Sequence, residues 1–328
     1  MLQEEVLALL KGQAAPRSGE DMSRELGVSR AAVWKAITAL REEGYVISSA
    51  PHRGYRLEAS PDRLSPGELR GALAGRVIGR ELICLETVDS TNSALKRRAV
   101  AGAPEGTVIL SREQTGGRGR RGNSFLSPPG GLYLSVLLRP QTGLRELMWL
   151  TAWAGVAVCD GIQRCCGVRP GIKWTNDLIL SGRKVCGILT ELGMEGESAW
   201  PQYVVLGVGV NVQQTEADFG PQVAPVAVSL RQVLGSAPRR ADLAASILLA
   251  LDEMRAAFPG ESARYLEQYR RDCVTLGQEV RLMGPEGART AVAEAIDEDF
   301  RLVVRLPGGA RETVNAGEVS VRGMLGYV

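Results

Sequence analysis

Gln114-Thr115-Gly116-Gly117-Arg118-Gly119-Arg120-Arg121-Gly122 decides how the middle of this 328-residue chain is read. Residues 117–122 spell G-x-G-x-x-G, the letter pattern of a dinucleotide-binding turn. That turn should open a helix. Here Ser127-Pro128-Pro129-Gly130-Gly131 follows instead, and Leu132–Leu138 reads as another strand. Arginine fills all three variable positions. The stretch therefore reads as an anion-binding loop: glycine bares the backbone amides, and Arg118, Arg120 and Arg121 add charge. A loop so rich in glycine is costly to fix, so it is expected to order around a phosphate-bearing ligand.

Outward from the loop, strands and helices alternate. Strands are expected at Leu82–Glu86, Thr107–Leu110, Leu132–Leu138, Gly171–Trp174, Leu178–Leu180, Lys184–Leu189 and Tyr203–Val212. Long helices are expected at Glu146–Gly167 and Arg240–Phe258. Three more polar groupings punctuate this core. Asp89-Ser90-Thr91-Asn92 follows a strand and suits the cap of a helix over Ser93–Val100. Lys173-Trp174-Thr175-Asn176-Asp177 precedes a Ser181-Gly182 turn and then Arg183-Lys184-Val185-Cys186-Gly187-Ile188. Strand alternation would send Lys173 and Thr175 one way and Trp174 and Asn176 the other. Gly207-Val208-Gly209-Val210-Asn211-Val212 reads as a strand that another group can approach closely, ending on a polar Asn211. By itself this last grouping is a buried strand capped by asparagine.

Composition narrows the chemistry. The single histidine, His52, sits in a turn between Pro51 and Gly54, which removes histidine-based nucleophilic sites and histidine-rich zinc sites. The six cysteines show no C-x-x-C pair or metal-ligand spacing and read as reduced, mostly buried thiols. Arg, Lys, Asp, Asn, backbone amides or a bound metal must carry any reaction. Only Lys11, Lys35, Lys96, Lys173 and Lys184 interrupt an otherwise all-arginine set of 39 cations, and two of the five fall in one short segment of the core. Net charge is +2, too small for a general polyanion binder. No apolar run reaches the roughly 20 residues needed to cross a bilayer, and MLQEEVLALLKG is unlike a signal peptide. A cytoplasmic protein with no membrane partner is expected.

The first sixty residues have a different pattern. Helices are expected over residues 2–11 and 19–26, the second ended by Gly27, and then from the cap Ser29 to Arg41. Val33, Trp34, Ile37 and Leu40 of the third form an apolar stripe, with Arg30, Lys35, Thr38 and Arg41 opposite. Tyr45–Ile47 and Tyr55–Leu57, joined through Pro51–Gly54, read as a two-stranded wing. Two helices joined at a glycine turn, the second basic outside, make a helix-turn-helix. Arg30, Lys35 and Thr38 are the candidates for base edges, Arg53 for phosphate, and Ser29 for the helix start at the DNA. Two prolines without periodicity mark a boundary over residues 58–66.

Taken in order, Ser90-Thr91-Asn92, the GRGRRG loop, Lys173–Asp177, the Lys184–Gly187 hairpin and Gly207–Asn211 resemble the biotin protein ligases. The likeness spans nearly the whole chain, because bifunctional members also carry an N-terminal winged helix. It implies an α+β protein in three parts. These are a winged helix-turn-helix (1–60), a mixed α/β ligase core of class II synthetase type (67–272) and an SH3-like β barrel (273–328), the last closing on Ala316–Arg322. It further implies ATP-dependent formation of biotinyl-AMP with Mg²⁺, and transfer of biotin to a lysine of a carboxylase carrier domain. A biotin-responsive repressor bound to operator DNA is implied as well, as a homodimer when adenylate is held. By the same resemblance Ser90, Thr91, Asn92, Gln114, Arg118, Gly119, Arg120, Lys184 and Gly187 hold biotin. Arg120, Arg121, Lys173, Trp174, Asn176 and Asn211 face the nucleotide. Lys184, Arg118, Arg120 and Asp177 are catalytic, with Asp177 orienting the acceptor lysine; no metal ligand is assigned. Two positions depart from the family pattern: Thr175 stands where proline is usual, and Val228 where the family has threonine. A lipoate-type protein ligase would share the core without the winged helix or this loop. A non-catalytic biotin-sensing DNA-binding repressor would not need Lys184, Arg118, Arg120 and Asp177 together.

Overall fold

The computed structural model describes residues 2–11, 15–50, 53–193, 201–284, 287–315 and 320–323. Pro51 and His52 of the wing turn and residues 316–319 of the closing stretch lie outside them.

The chain starts with α1 (Leu2–Lys11), α2 (Gly19–Leu26) and α3 (Arg30–Glu42), then the antiparallel pair β1 (Val46–Ala50) and β2 (Gly54–Ala59). Ser29 caps α3 by accepting from the Ala32 amide at 3.2 Å, and left-handed Gly27 ends α2, as the sequence suggests. One expectation fails here. The buried stripe of α3 is Val33, Ala36, Ile37 and Leu40, packed with Val6, Leu7, Leu10 and Met22, whereas Trp34 is 55% exposed. Trp34 follows Val33 by one residue, a turn of about 100° that carries it off the core stripe.

The stretch 58–66 read as a boundary, and the structure builds it into an interlock. After it comes the short α4 (Pro66–Arg70), whose Glu68 side chain has no exposed surface. Glu68 pairs with Lys11 of α1 and, at 2.9 Å, with Arg239 of the core. Burial and the Glu68 charge push the neighbouring Tyr45 phenol upward in pKa. Glu4 of α1 accepts from Ser65 Oγ and from the Gly67 amide. Asp62 accepts from Gln213, from the Arg240 amide and from Arg240 Nε.

The core continues as β3 (Glu81–Val88), α5 (Thr91–Val100), β4 (Thr107–Gln114), β5 (Leu132–Leu138), α6 (Leu144–Leu147), α7 (Leu150–Cys166), β6 (Gly171–Lys173), β7 (Asp177–Leu180), β8 (Arg183–Gly193) and β9 (Tyr203–Val210). Then follow α8 (Glu216–Val223), α9 (Leu230–Leu234), α10 (Arg240–Ala257) and α11 (Ser262–Asp272). The strands make one seven-stranded sheet in the order β3-β4-β5-β9-β8-β7-β6, parallel at β3/β4 and antiparallel elsewhere. The almost wholly buried runs of β5 and β9 take its centre, because strands covered on both faces need no polar alternation. The buried helix α7 lies against α10, and its Trp153 stacks on Tyr265 of α11 at 3.9 Å between centroids.

A five-stranded antiparallel sheet follows: β10 (Glu279–Gly284), β11 (Gly287–Ile296), β12 (Leu302–Arg305), β13 (Arg311–Val314) and β14 (Ser320–Gly323). The last strand returns to pair with the first, the chain path expected of the SH3-like part. This domain is bolted to the core at Trp174, whose amide donates to Thr275 Oγ1 (2.9 Å) and whose indole N–H donates to the Phe300 carbonyl (3.0 Å).

Candidate functional site

The cap of α5 forms one wall of a cleft on the sheet. Thr91 donates from its amide (2.9 Å) and its hydroxyl (3.0 Å) to Gln114 Oε1, and Gln114 Nε2 donates to Ser127 Oγ (2.9 Å). Ser90 accepts from the Ser93 amide. Asn92 Nδ2 donates to Glu191 Oε2 (2.8 Å), and Ser135 Oγ lies within hydrogen-bond reach of Asn92 Oδ1 and of Thr91 Oγ1. Lys96 neutralises Glu191. Ser90, Thr91, Asn92 and Ser135 are buried, so each side chain is held by its partners rather than by water. A Cβ on Gly207 would strike the Asn92 carboxamide, which explains the glycine there.

The glycine-rich loop forms the facing wall. Its backbone closes largely on itself. Gly119 N donates to the Asn123 carbonyl (2.7 Å), Phe125 N to Gly117 (2.9 Å), and Asn123 Nδ2 to Arg120 (3.0 Å). Arg121 turns the chain with φ of 56°. Phe125, at the loop's exit, lays its ring across two glycines of the floor. A Cβ on Gly209 would come within 2.6 Å of the ring, and one on Gly187 within 3.0 Å. Lys184 Nζ lies 5.3 Å from the ring centroid, in cation–π range.

The β7–β8 hairpin carries the charges. Ser181 (φ 49°) and Gly182 (φ 72°) form the tight turn that returns the chain antiparallel. Lys184 Nζ then sits 2.6 Å from Asp177 Oδ1. Asn176 donates to the Ile188 carbonyl (2.9 Å) and accepts from Arg120 Nη1 (3.0 Å), tying loop to hairpin. Burial lowers the pKa of the Arg120 guanidinium, and the Asp177 charge opposes that shift. Lys184, Arg120 and Arg118 against the single Asp177 leave the cleft cationic, suited to bringing two anions together.

All nine residues expected to hold biotin, with Asn176, line one cleft. Asp177 stands directly behind Lys184. Lys173, Trp174 and Asn211, expected on the nucleotide side, are buried and are not among the residues that line this cleft. β6 ends at Lys173, so strand alternation does not carry through to Asn176, and Trp174 turns to the C-terminal sheet. Asn211 Nδ2 donates to the carbonyls of Lys184 and Val228, each at 3.2 Å, fixing the hairpin from below. Arg121 reaches outward to the Met283 carbonyl. Sequence reading missed Phe125, Glu191, Lys96 and Ser135; only the ring so close to the GRGRRG loop carried any local signal.

At the other end, Ser29, Arg30, Lys35 and Arg53 are exposed on α3 and the wing. Thr38 is half-buried, and its hydroxyl donates to the Trp34 carbonyl at 3.0 Å. Arg41 is committed to the wing, donating from Nε and Nη2 to the Ile47 carbonyl at 3.0 and 2.7 Å.

Against known proteins, residues 84–211 match the biotin/lipoate A/B protein ligase family, 2–56 an HTH domain and 275–322 the biotin protein ligase C terminal domain. The bifunctional ligase/repressor BirA of Bacillus subtilis is 40% identical over 72% of this chain and 72% of its own length. The protein of the same description from Escherichia coli is 30% identical over 93% and 92%. The biotin protein ligase from Aquifex aeolicus in complex with biotin and ATP superposes with a TM-score of 0.65 at 29% identity, covering 74% of this chain and 99% of that one.

Proposed function

The chain belongs to the biotin protein ligase family, in its bifunctional ligase/repressor form, and from that premise we propose how its residues share the work. It is an ATP-dependent biotin–protein ligase that also binds DNA as a repressor. A carboxylate oxygen of biotin attacks the α-phosphate of ATP, the bond to the β-phosphate breaks, and pyrophosphate leaves. An amine of the acceptor lysine then attacks the acyl carbon, AMP departs with the bonding pair, and the amine gives up a proton.

The obstacle in the first step is the repulsion of two anions. Lys184, Arg118 and Arg120 meet them as fixed cations, and preorganised charge of this kind is commonly the largest catalytic contribution. Ser90, Thr91, Asn92 and Gln114, with Gly119 and Gly187 leaving room, hold the biotin ring and chain. Arg120, Asn176 and, at the rim, Arg121 meet the nucleotide, with Lys173, Trp174 and Asn211 on the same side of the site. Asp177 keeps Lys184 aimed and later orients the acceptor amine. Mg²⁺ accompanies the triphosphate. When bound it would offset the triphosphate charge, and among the described residues no group of three His, Cys, Asp or Glu side chains could hold it.

The protein divides at 1–60, 67–272 and 273–328. It works in the cytoplasm, and among the described residues no helix is long and apolar enough to cross a membrane. Its acceptor is a carboxylase carrier domain. With adenylate bound it pairs with a second copy, setting two α3 helices against a two-fold operator. The observation that carries the ligase reading is the convergence of Lys184, Asp177 and the loop arginines beside the capped Ser90–Asn92 turn. Pyrophosphate exchange tests it: exchange driven by biotin but not lipoate is expected, and exchange with lipoate alone or with neither acid would overturn it.

A further inference from the structure

The face that α3 turns to solvent has an apolar centre. Arg30, Trp34 and Lys35 lie there, and Trp34 keeps 55% of its surface exposed. A tryptophan one residue out of register with the core stripe contributes little to the domain's own packing. Its neighbours are already committed: Thr38 donates to the Trp34 carbonyl, and Arg41 holds the wing strand. Arg30 and Lys35 make no ion pair among the described residues. The surface therefore offers two free cations flanking one exposed indole.

The cations fit a polyanion, and the operator-binding reading, on which this inference rests, supplies DNA. Phosphate contacts need only charge, and an indole has none. In the major groove the apolar feature at a base edge is the thymine C5 methyl group. Trp34 is the fifth residue of α3, in the N-terminal half of the helix, the part that reaches base edges when such a helix lies in the groove. We propose that Trp34 is a specificity-determining residue of the repressor, reading a thymine methyl while Arg30 and Lys35 engage bases or phosphates beside it.

The test uses the full chain with biotin and ATP. Duplexes are selected from a random pool by wild-type protein, and each thymine of the selected site is replaced in turn by uracil, which removes only the methyl. At one position per half-site, uracil should weaken wild-type binding by about fourfold, the worth of burying one such group. The Trp34→Ala variant should bind the thymine duplex roughly tenfold or more weakly, and should lose its discrimination between thymine and uracil at that position. Its biotinylation rate should equal wild type. Unchanged affinity of Trp34→Ala, or a loss that leaves discrimination intact at every thymine, would overturn the proposal while sparing the operator reading. A Trp34→Ala protein that loses self-association in sedimentation would overturn it in favour of a contact between copies. If wild-type protein selected no duplex, the operator reading itself would fall, and this inference with it.

Discussion

The ligase cleft and the outer face of α3 both present cations to anionic partners, yet they hold them in opposite ways. In the cleft nearly every charge is already engaged: Lys184 with Asp177, Arg120 with Asn176, Lys96 with Glu191. On α3, Arg30 and Lys35 stand in solvent around an exposed indole. Chemistry needs charges fixed before substrate arrives, because reorganising them during reaction would add to the barrier. Searching along DNA needs charges that can slide from phosphate to phosphate. Substitutions in the cleft should therefore cost catalysis steeply, and those on α3 should cost recognition while leaving the fold alone.

The largest effect is expected at Lys184. Lys184→Ala should lower adenylate formation by about a thousandfold, roughly 4 kcal/mol in the transition state. Its thermal midpoint should stay near wild type. Single-turnover formation of biotinyl-AMP measures this, and a rate within tenfold of wild type would show that the pair with Asp177 is structural.

The next concerns the joint between the two regions. Glu68→Ala removes the buried carboxylate shared by Lys11 and Arg239 and leaves them only the half-exposed Asp242 between them. Removing one member of a buried ionic network costs about 3–5 kcal/mol. Because Lys11 and Arg239 are partly solvated, about 2–3 kcal/mol is expected here. Chemical denaturation would read it, and a change below 1 kcal/mol would mean that the winged helix is only tethered. For the same reason, removing residues 1–63 should lower the stability of the remaining ligase, since it strips away Glu4 and Lys11.

That joint shows what the sequence made legible. Periodicity and caps reveal α1–α3, the main strands and the Ser181-Gly182 hairpin, because these depend on neighbours in the chain. The GRGRRG loop and the Lys184 hairpin announce their chemistry through residue types seldom grouped by chance. The interlock does not: a proline-bearing stretch without periodicity reads as a linker, and the partners of Glu68 and Asp62 lie about 60 to 180 residues away. Glu191 and Ser135 are silent for the same reason, being single polar residues on strands met by Asn92 only after folding. Hydrophobicity alone puts Trp34 on the core stripe, whereas its exposure on α3 is set by a position one residue out of register with that stripe.

A third, smaller effect probes how rigid the cleft is. Gly207→Ala sets a methyl against the Asn92 carboxamide, which Glu191 and Ser135 hold from the other side. Overpacking of this kind costs about 1–3 kcal/mol. Since the proposed function assigns the displaced group to the biotin wall and not to the charged cluster, the cost should fall on KM for biotin, about tenfold, with kcat changed less. Equal losses in kcat and kcat/KM would place Asn92 at the reacting atoms instead.

The smallest effect is also the most discriminating, because it is an expected near-absence. Trp34→Ala should change the stability of the protein by no more than about 0.5 kcal/mol, the range usual for surface sites. Two small influences oppose each other. The variant loses whatever apolar surface the indole still covers, while alanine is a better helix former than tryptophan by a few tenths of a kcal/mol. Trp153 gives the contrast: fully buried and stacked on Tyr265, it should cost about 3–5 kcal/mol on truncation to alanine. Urea unfolding of both variants compares the two tryptophans directly. A loss above 1 kcal/mol at Trp34 would mean that it serves the core of the winged helix after all, and the free face on α3 would have to be redrawn around Arg30 and Lys35 alone.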